Sequence, residues 1–184
     1  MKPRTSYIFF IAIIVFILFV GWYYAHHQLH IAKSQQLSSV ASVFAPDAQI
    51  KFSACQAQGK YPDHACTPGK IISTATKEEI CISGYSSSVR NVKESEKLAV
   101  YKEYGITHRV PGEYEIDHFI SLELGGSNDI ANLFPEAAEP KPGFHEKDKV
   151  ENSLHEQVCS GVLSLNEAQR EIATDWYSVF EKIK

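Results

Sequence analysis

The clearest hydrophobic pattern lies towards the carboxyl end of the chain, in residues 146–159. Val150, Leu154 and Val158 recur every four residues there, with polar residues between them. This spacing places all three on one face of an α-helix, which must pack against a core. Gly161 stands where a left-handed residue would end that helix. The pattern therefore predicts a helix with one buried face.

A second helix is predicted over residues 164–183. It opens with a capping box, in which Ser164 and Glu167 stand three residues apart at the helix start. Its apolar residues share one side and predict a structural helix. They are Leu165, Ala168, Ile172, Trp176, Val179 and Phe180.

The middle of the chain predicts shorter elements of both kinds. Thr76 and Glu79 form another capping box, which indicates a short helix, and residues 90–104 predict a helix that ends at Gly105. Residues 114–120 alternate like a strand, and glycines then break the pattern. The fold class predicted from these elements is α+β.

The amino-terminal segment predicts a membrane anchor. Residues 7–25 form a run of 19 uncharged, largely apolar residues, and a helix of that length spans about 28 Å, close to the hydrocarbon thickness of a bilayer. Lys2 and Arg4 precede it, so the amino terminus is expected in the cytoplasm and the remainder outside. A cleaved signal peptide is the alternative, but its apolar region is usually shorter and ends in small residues.

The chain is accordingly divided into three parts. Residues 1–32 are expected to be a signal anchor with one transmembrane helix, and residues 33–62 a stalk. Residues 63–184 are expected to form one folded domain outside the cytoplasmic membrane, in the periplasm. The length suits one modest domain and an anchor, not two full cores.

The cysteine count supports an oxidising compartment. An even number of cysteines in an exported domain indicates two disulfides, and four cysteines allow three pairings. A bridge between Cys81 and Cys159 would close a long loop, and one between Cys55 and Cys66 a short one. A zinc site is the alternative, but no Cys-x-x-Cys pair exists and the spacings are irregular.

The net charge of this domain limits how it could bind nucleic acid. Residues 63–184 contain 13 lysines and arginines against 21 aspartates and glutamates, a net charge of −8. Nucleic-acid-binding domains usually carry a basic face. Any such binding here must be local and metal-assisted, or weak.

Two groups of residues carry candidate chemistry. Asp117 and His118 are adjacent at the end of the expected strand, where neighbouring side chains point to opposite faces and can do different tasks. Asn132 follows the glycine loop. The other group lies on one face of the helix over residues 146–159, opposite its apolar stripe, and offers three potential metal ligands. They are Asp148, Asn152 and His155.

This order of motifs resembles the HNH endonuclease family, in particular an exported, membrane-anchored bacterial branch. Residues 114–136 carry the resemblance: Tyr-Glu-Ile-Asp-His-Phe-Ile-Ser-Leu-Glu-Leu-Gly-Gly-Ser-Asn-Asp-Ile-Ala-Asn-Leu-Phe-Pro-Glu. Residues 147–161 are similar to the terminal helix of the same branch, and the likeness extends over residues 67–180. It implies a small ββα-metal core with additional packed helices.

The resemblance also implies a role for each site residue. His118 matches the general base that deprotonates the attacking water, and Asp117 matches a ligand of a single divalent cation. Asn132 matches the residue that holds the histidine-bearing loop and supports catalysis. Asn152 and His155 are both eligible as the helix ligand, and His155 is narrowly preferred because imidazole is the stronger ligand for most transition ions.

Other polar residues near these motifs have weaker assignments. Glu115 and Asp148 are expected to support the site, although Glu115 could equally be a salt-bridge residue. Arg90 could contact a phosphate, but a structural ion pair is the favoured interpretation. His108 and His145 are assigned no role.

The expected function is metal-dependent hydrolysis of nucleic-acid phosphodiesters outside the cytoplasmic membrane. The cofactor is one divalent ion, Mg²⁺ or Mn²⁺ for oxygen ligands, and Zn²⁺ or another transition ion if His155 ligates. DNA is preferred over RNA as substrate, the membrane is a partner through the anchor, and no small-molecule cofactor is expected. The oligomeric state stays open. The alternative is a catalytically silent, disulfide-stapled module that binds a partner, which the net charge favours.

Overall fold

The computed structural model describes residues 19–24, 26, 28 and 44–184 of the chain. The chain divides into two compact units, Met1–Val43 and Phe44–Lys184. In the first unit the described residues are helical, and the anchor expected over residues 1–32 falls mostly outside them. Within the described part of the chain, no helix is both long enough and apolar enough to cross a membrane.

The unit Phe44–Lys184 combines several helices with a two-stranded sheet, which confirms a mixed α and β composition. Two short 3-10 turns, Leu122–Leu124 and Ile130–Asn132, lie between the strands. The helices and strands follow in the order α1 (Lys77–Ile80), α2 (Tyr85–Val89), α3 (Glu94–Glu103), β1 (Tyr114–His118), β2 (Leu133–Ala137), α4 (Phe144–Ser160) and α5 (Leu165–Ile183).

The sheet is an antiparallel pair in which Asp117 lies opposite Phe134 and His118 opposite Leu133. Strand β1 ends at His118, two residues earlier than its alternating pattern predicted. The strand ends there because the amide of Ile120 donates a hydrogen bond to the side chain of Asn132 rather than to a strand partner.

The prediction of α4 with one buried face is confirmed. Val150, Leu154 and Val158 are all fully buried, and Gly161 ends the helix in the left-handed conformation at φ 82°. The helix begins at Phe144 rather than 146, because the carboxylate of Glu146 reaches back to accept a hydrogen bond from the amide of Gly143. This bond caps a turn that the apolar spacing alone did not reveal.

Helix α5 packs along α4 and contributes the largest buried side chain, Trp176. The predicted capping box is present: the amide of Glu167 donates to the Ser164 hydroxyl, and the Ser164 amide donates to the Glu167 carboxylate. Ala168 and Ile172 are fully buried on the same side. The helix is therefore structural, as expected.

The short helix after Thr76 is also confirmed, with both bonds of its capping box formed. The helix expected over residues 90–104 is shorter, because α3 begins at Glu94. Residue Arg90 is extended instead and ends α2. The next amide, that of Asn91, donates to the side chain of Asn128, so this segment serves as a connection to the loop after β1.

Both disulfides are present, in one of the three pairings that the sequence allowed. Cys55 bonds to Cys66, and Cys81, the residue that follows α1, bonds to Cys159 on α4. The segment before Cys55 belongs to the same compact unit, where the amides of Ile50 and Cys55 donate to backbone carbonyls of Ala65 and Glu103.

Candidate active site

The loop between β1 and β2 is held by the side chain of Asn132, which is completely buried. Its Oδ1 accepts hydrogen bonds from the amides of Ile120, at 2.9 Å, and Lys70, at 3.2 Å. Its Nδ2 donates to the carbonyls of Ile120, at 2.9 Å, and Ser127, at 2.8 Å. All four hydrogen bonds that a side-chain amide can make are used, three within the loop and one to the backbone of Lys70 outside it. The arrangement supports the loop rather than touching a substrate.

The same loop closes tightly at Gly126. A Cβ at this position would lie 1.8 Å from the carbonyl oxygen of Ile120. No other residue could occupy Gly126 without moving the backbone that follows His118. The second glycine of the Gly125-Gly126 pair is thus required by a close backbone approach.

The imidazole of His118 is buried, with 2% of the residue exposed. Its Nε2 lies 3.2 Å from Oδ1 of Asn128. The orientation of that amide is fixed because Nδ2 donates to the carbonyl of Val89 and Oδ1 accepts from the amide of Asn91. An amide oxygen can only accept, so Nε2 of His118 carries the hydrogen and Nδ1 keeps its lone pair in the neutral ring.

Burial also sets the charge of this ring. Loss of solvation lowers the pKa of His118 to about 4, despite the nearby carboxylate of Asp117. The imidazole is therefore neutral around pH 7 and can accept a proton.

Asp117 is held by two donors. Its Oδ1 accepts from the amide of His118, and its Oδ2 lies 2.6 Å from the ammonium of Lys147 on α4. Lys147 is fully buried and also donates to the carbonyl of His118 and to Glu151. Burial would raise the pKa of Asp117, but the charge and hydrogen bond of Lys147 outweigh it and hold that pKa below its usual value.

The ammonium of Lys147 faces more negative charge than it can neutralise. The carboxylates of Asp117 and Glu151 bond to it, and that of Glu136 lies 3.8 Å away. Glu136 is 2% exposed, and neither of its carboxylate oxygens has a hydrogen-bond partner within the described residues. Burial raises the pKa of Glu136, and it raises that of Glu151 to about 7. Protons or another cation must balance this group.

A more open acidic group adjoins Asp117. Partial burial raises the pKa of Glu115 and of Asp148, and the charge of Asp117 raises both further. Both residues are exposed on the surface of the unit, Glu115 from β1 and Asp148 from α4. The positive charge of Arg90 opposes both shifts. The carboxylates of Glu115 and Asp148, one on a strand and one on a helix, are thus accessible and within electrostatic reach of Asp117.

The remaining candidates on α4 lie elsewhere. Nε2 of His155 is 3.0 Å from the carbonyl of Ile80 and 3.5 Å from Sγ of Cys159, so this ring lies against the disulfide. Asn152 is exposed, and its Nδ2 donates to the carbonyl of Asp148. The structure therefore brings Asp148 to Asp117 and places His155 beside α1.

Cys81, His155 and Cys159 form a group that could hold a metal ion. Their ligand atoms lie within 4.8 Å of one another. Both sulfurs are joined in the disulfide, and cysteine binds a metal as a thiolate. The group can therefore offer all three ligands only after reduction.

Sequence reasoning missed Asn128 and the buried charges around Lys147. Asn128 looked like one more polar residue of the glycine loop. Lys147 and Glu151 did carry a signal, because they stand on the helix face of Leu154 and Val158 at spacings of three and four residues. Charged residues in line with an apolar stripe indicate a buried ion pair.

No protein-family model, curated protein or solved structure matches the chain. The function is therefore inferred from the geometry of this site and from its order of motifs.

Proposed function

We propose that the chain is a metal-dependent HNH-type endonuclease that hydrolyses phosphodiester bonds of nucleic acid. The observation that carries this proposal is the pairing of a neutral imidazole, His118, with an adjacent carboxylate, Asp117, at the end of β1. The antiparallel hairpin followed by α4 is consistent with a ββα-metal core. Phosphodiester hydrolysis needs both a base for water and positive charge at the phosphate.

The residues around Asp117 fit a divalent cation. Glu136 has two buried oxygens without hydrogen-bond partners, and the buried carboxylates outnumber the single ammonium of Lys147. Asp117 and Asp148 would hold the ion, and oxygen donors suit Mg²⁺ or Mn²⁺. A cation bound there supplies positive charge that stabilises the negative charge developing on the phosphate and the leaving oxygen.

The residues of the chain provide the proton chemistry. Nδ1 of His118 accepts a proton from the attacking water, while Asn128 keeps the hydrogen on Nε2 and fixes the ring. Lys147 donates hydrogen bonds to the carboxylate of Asp117 and to the carbonyl of His118, which holds the two functional residues in place relative to each other. Asn132 maintains the loop that carries the histidine.

We place this activity outside the cytoplasmic membrane, with residues 1–32 as anchor and DNA as the preferred substrate. The two disulfides support an oxidising compartment. The net charge of −8 over residues 63–184 opposes broad electrostatic binding of a polyanion. Substrate contact must then depend on the bound cation and on cationic side chains close to His118.

Nicking of supercoiled plasmid tests this function. The full chain, purified in detergent, is incubated with Mg²⁺ or Mn²⁺ and, in parallel, with EDTA. Nicking is expected only with the metal, and His118→Ala should reduce it by about 10²–10⁴-fold, the scale of removing a general base. His108→Ala, which removes an exposed histidine, should keep full activity. Equal activity of the wild type and His118→Ala contradicts the proposal.

A second candidate function is a catalytically silent binding module on the same scaffold. The acidic net charge favours it, because a polyanion would be repelled over most of the surface. Such a module would not nick plasmid under any metal condition, and His118→Ala would leave partner binding unchanged.

A further inference from the structure

Arg90 is fixed next to the imidazole of His118 by the residues on either side of it. The carbonyl of Val89 accepts a hydrogen bond from Nδ2 of Asn128, and the amide of Asn91 donates to Oδ1 of Asn128. That Oδ1 also lies 3.2 Å from Nε2 of His118. One side chain therefore joins the backbone on both sides of Arg90 to the candidate base.

Arg90 is exposed, and the backbone groups on both sides of it are bonded to the Asn128 side chain that contacts His118. The side chain of Arg90 therefore leaves the backbone next to the candidate base and is accessible to solvent.

The structural ion pair expected for Arg90 is not formed. Among residues 44–184 no carboxylate oxygen lies within 4.0 Å of its guanidinium, and no hydrogen bond of its side chain is found there. Lys147, the other cation near His118, is fully buried and surrounded by carboxylates. Arg90 is thus a cation beside the candidate base that a substrate can reach.

We propose that Arg90 binds a phosphate of the nucleic-acid strand next to the bond that is cleaved. This inference rests on the proposed nuclease function and names a substrate-binding residue of the same site. A guanidinium presents parallel donors that match two phosphate oxygens, and an ammonium does not. In a domain with a net charge of −8, an exposed cation beside the base contributes strongly to placing a polyanion.

Binding and cleavage are measured separately. Binding of a short fluorescein-labelled DNA duplex is followed by anisotropy with Mg²⁺ present, in a His118→Ala background where cleavage is too slow to consume the duplex. Arg90→Ala should raise Kd about tenfold, which corresponds to about 1.4 kcal/mol, because it removes charge-assisted hydrogen bonds to phosphate. It should also reduce the slope of log K against log salt by about one. Arg90→Lys should bind with intermediate affinity.

Arg109→Ala is the matched control, because it removes the same exposed side chain. The guanidinium of Arg109 lies over the ring of Tyr101, 4.1 Å from its centroid. Its loss should change Kd less than twofold, on the scale of a rim charge. Melting temperatures of all variants are measured, and Arg90→Ala is expected to match the wild type.

The outcomes separate this inference from the nuclease proposal. Equal Kd values for Arg90→Ala and Arg109→Ala overturn the role of Arg90, even if His118→Ala abolishes nicking. A tenfold effect of Arg90→Ala alone supports it, even if no metal gives nicking and the nuclease proposal fails. If Arg90→Ala does not fold, the Kd of Arg90→Lys is used instead. A Kd for Arg90→Lys equal to that of the wild type would contradict bidentate binding of the phosphate by Arg90.

Discussion

The side-chain amide of Asn128 faces the imidazole of His118, with Oδ1 3.2 Å from Nε2. Two backbone groups of the segment after α2 fix the orientation of this amide, so the hydrogen of the imidazole is placed on Nε2. In the proposed mechanism His118 acts as a base through Nδ1, so the lone pair must be on Nδ1. Asn128 therefore selects the useful tautomer.

Replacing Asn128 should impair catalysis more than binding. In Asn128→Ala the ring of His118 loses its partner and can adopt either tautomer, so kcat is expected to fall about tenfold or more, with KM changed less than threefold. Asn91→Ala is the control, since it retains the backbone amide that Asn128 uses. Unchanged kcat in Asn128→Ala would show that the tautomer is set by another group.

The ligand on α4 can be identified by metal titration. Asp148 adjoins Asp117, whereas His155 faces the carbonyl of Ile80 and the disulfide. Asp148→Asn should weaken Mn²⁺ binding about tenfold or more, because it removes a charged oxygen ligand. His155→Ala and Asn152→Ala should leave the affinity within twofold. Weaker Mn²⁺ binding in His155→Ala would contradict this assignment and identify His155 as the ligand, as the sequence analysis preferred.

Removing the buried ammonium should destabilise the fold strongly. Lys147→Met leaves the carboxylates of Asp117, Glu136 and Glu151 without their cation, and an uncompensated buried charge costs about 3–5 kcal/mol. Urea denaturation measures the free energy of unfolding. Lys149→Met, at an exposed position on the same helix, should change it by less than about 0.5 kcal/mol.

A compensated variant separates charge from packing. Combining Lys147→Met with Glu136→Gln and Glu151→Gln removes two of the unbalanced charges, and most of the lost stability should return. If the triple variant is as unstable as Lys147→Met, the lysine stabilises by packing its aliphatic chain.

The two disulfides should differ in their contribution to stability. Cys81–Cys159 joins residues 78 apart in sequence and Cys55–Cys66 residues 11 apart. Loop-closure entropy gives about 4 kcal/mol for the long loop and about 3 kcal/mol for the short one. The paired serine variants, Cys81→Ser with Cys159→Ser and Cys55→Ser with Cys66→Ser, are compared by urea denaturation. A larger loss for the short loop would contradict this order.

Stability should fall in acid through Asp63, which organises the turn between Cys55 and Cys66. A hydrogen bond from Lys51 holds the pKa of Asp63 below its usual value, and the amides of Gln56 and Ala65 lower it further. The carboxylate therefore stabilises the fold fully above its unfolded pKa of about 4, and this contribution is lost as pH falls through the lower folded value.

Asp63→Asn tests this dependence. At pH 7 it should lower the free energy of unfolding by about 2 kcal/mol, the scale of hydrogen bonds to a charged group, and the difference from wild type should shrink below pH 4. Asp47 is an exposed aspartate in the same segment. The variant Asp47→Asn should have the same free energy of unfolding as the wild type at each pH. A difference that stays constant down to pH 2 would show that the charge of Asp63 is not responsible.

Much of the fold could be predicted from local patterns along the chain. The buried face of α4, the capping boxes at Thr76 and Ser164, and the left-handed end at Gly161 all follow from spacings of three or four residues. Such features depend on backbone groups within one or two turns, which the sequence places together directly. The position of β1 followed from alternation in the same way, apart from its last two residues.

The arrangement of the site required the tertiary structure. Asn128 meets His118 because the segment of Val89 and Asn91 folds against the loop, and no local spacing expresses that contact. Asp148 and His155 share one helix face in sequence, but they have different neighbours: the charge of Asp117 raises the pKa of Asp148, whereas His155 lies against the disulfide. The sequence by itself determined which residues could act, through their types and their order. Packing decided which of them meet, because side chains far apart in the chain are brought together only when the helices and the hairpin bury their apolar faces against one core.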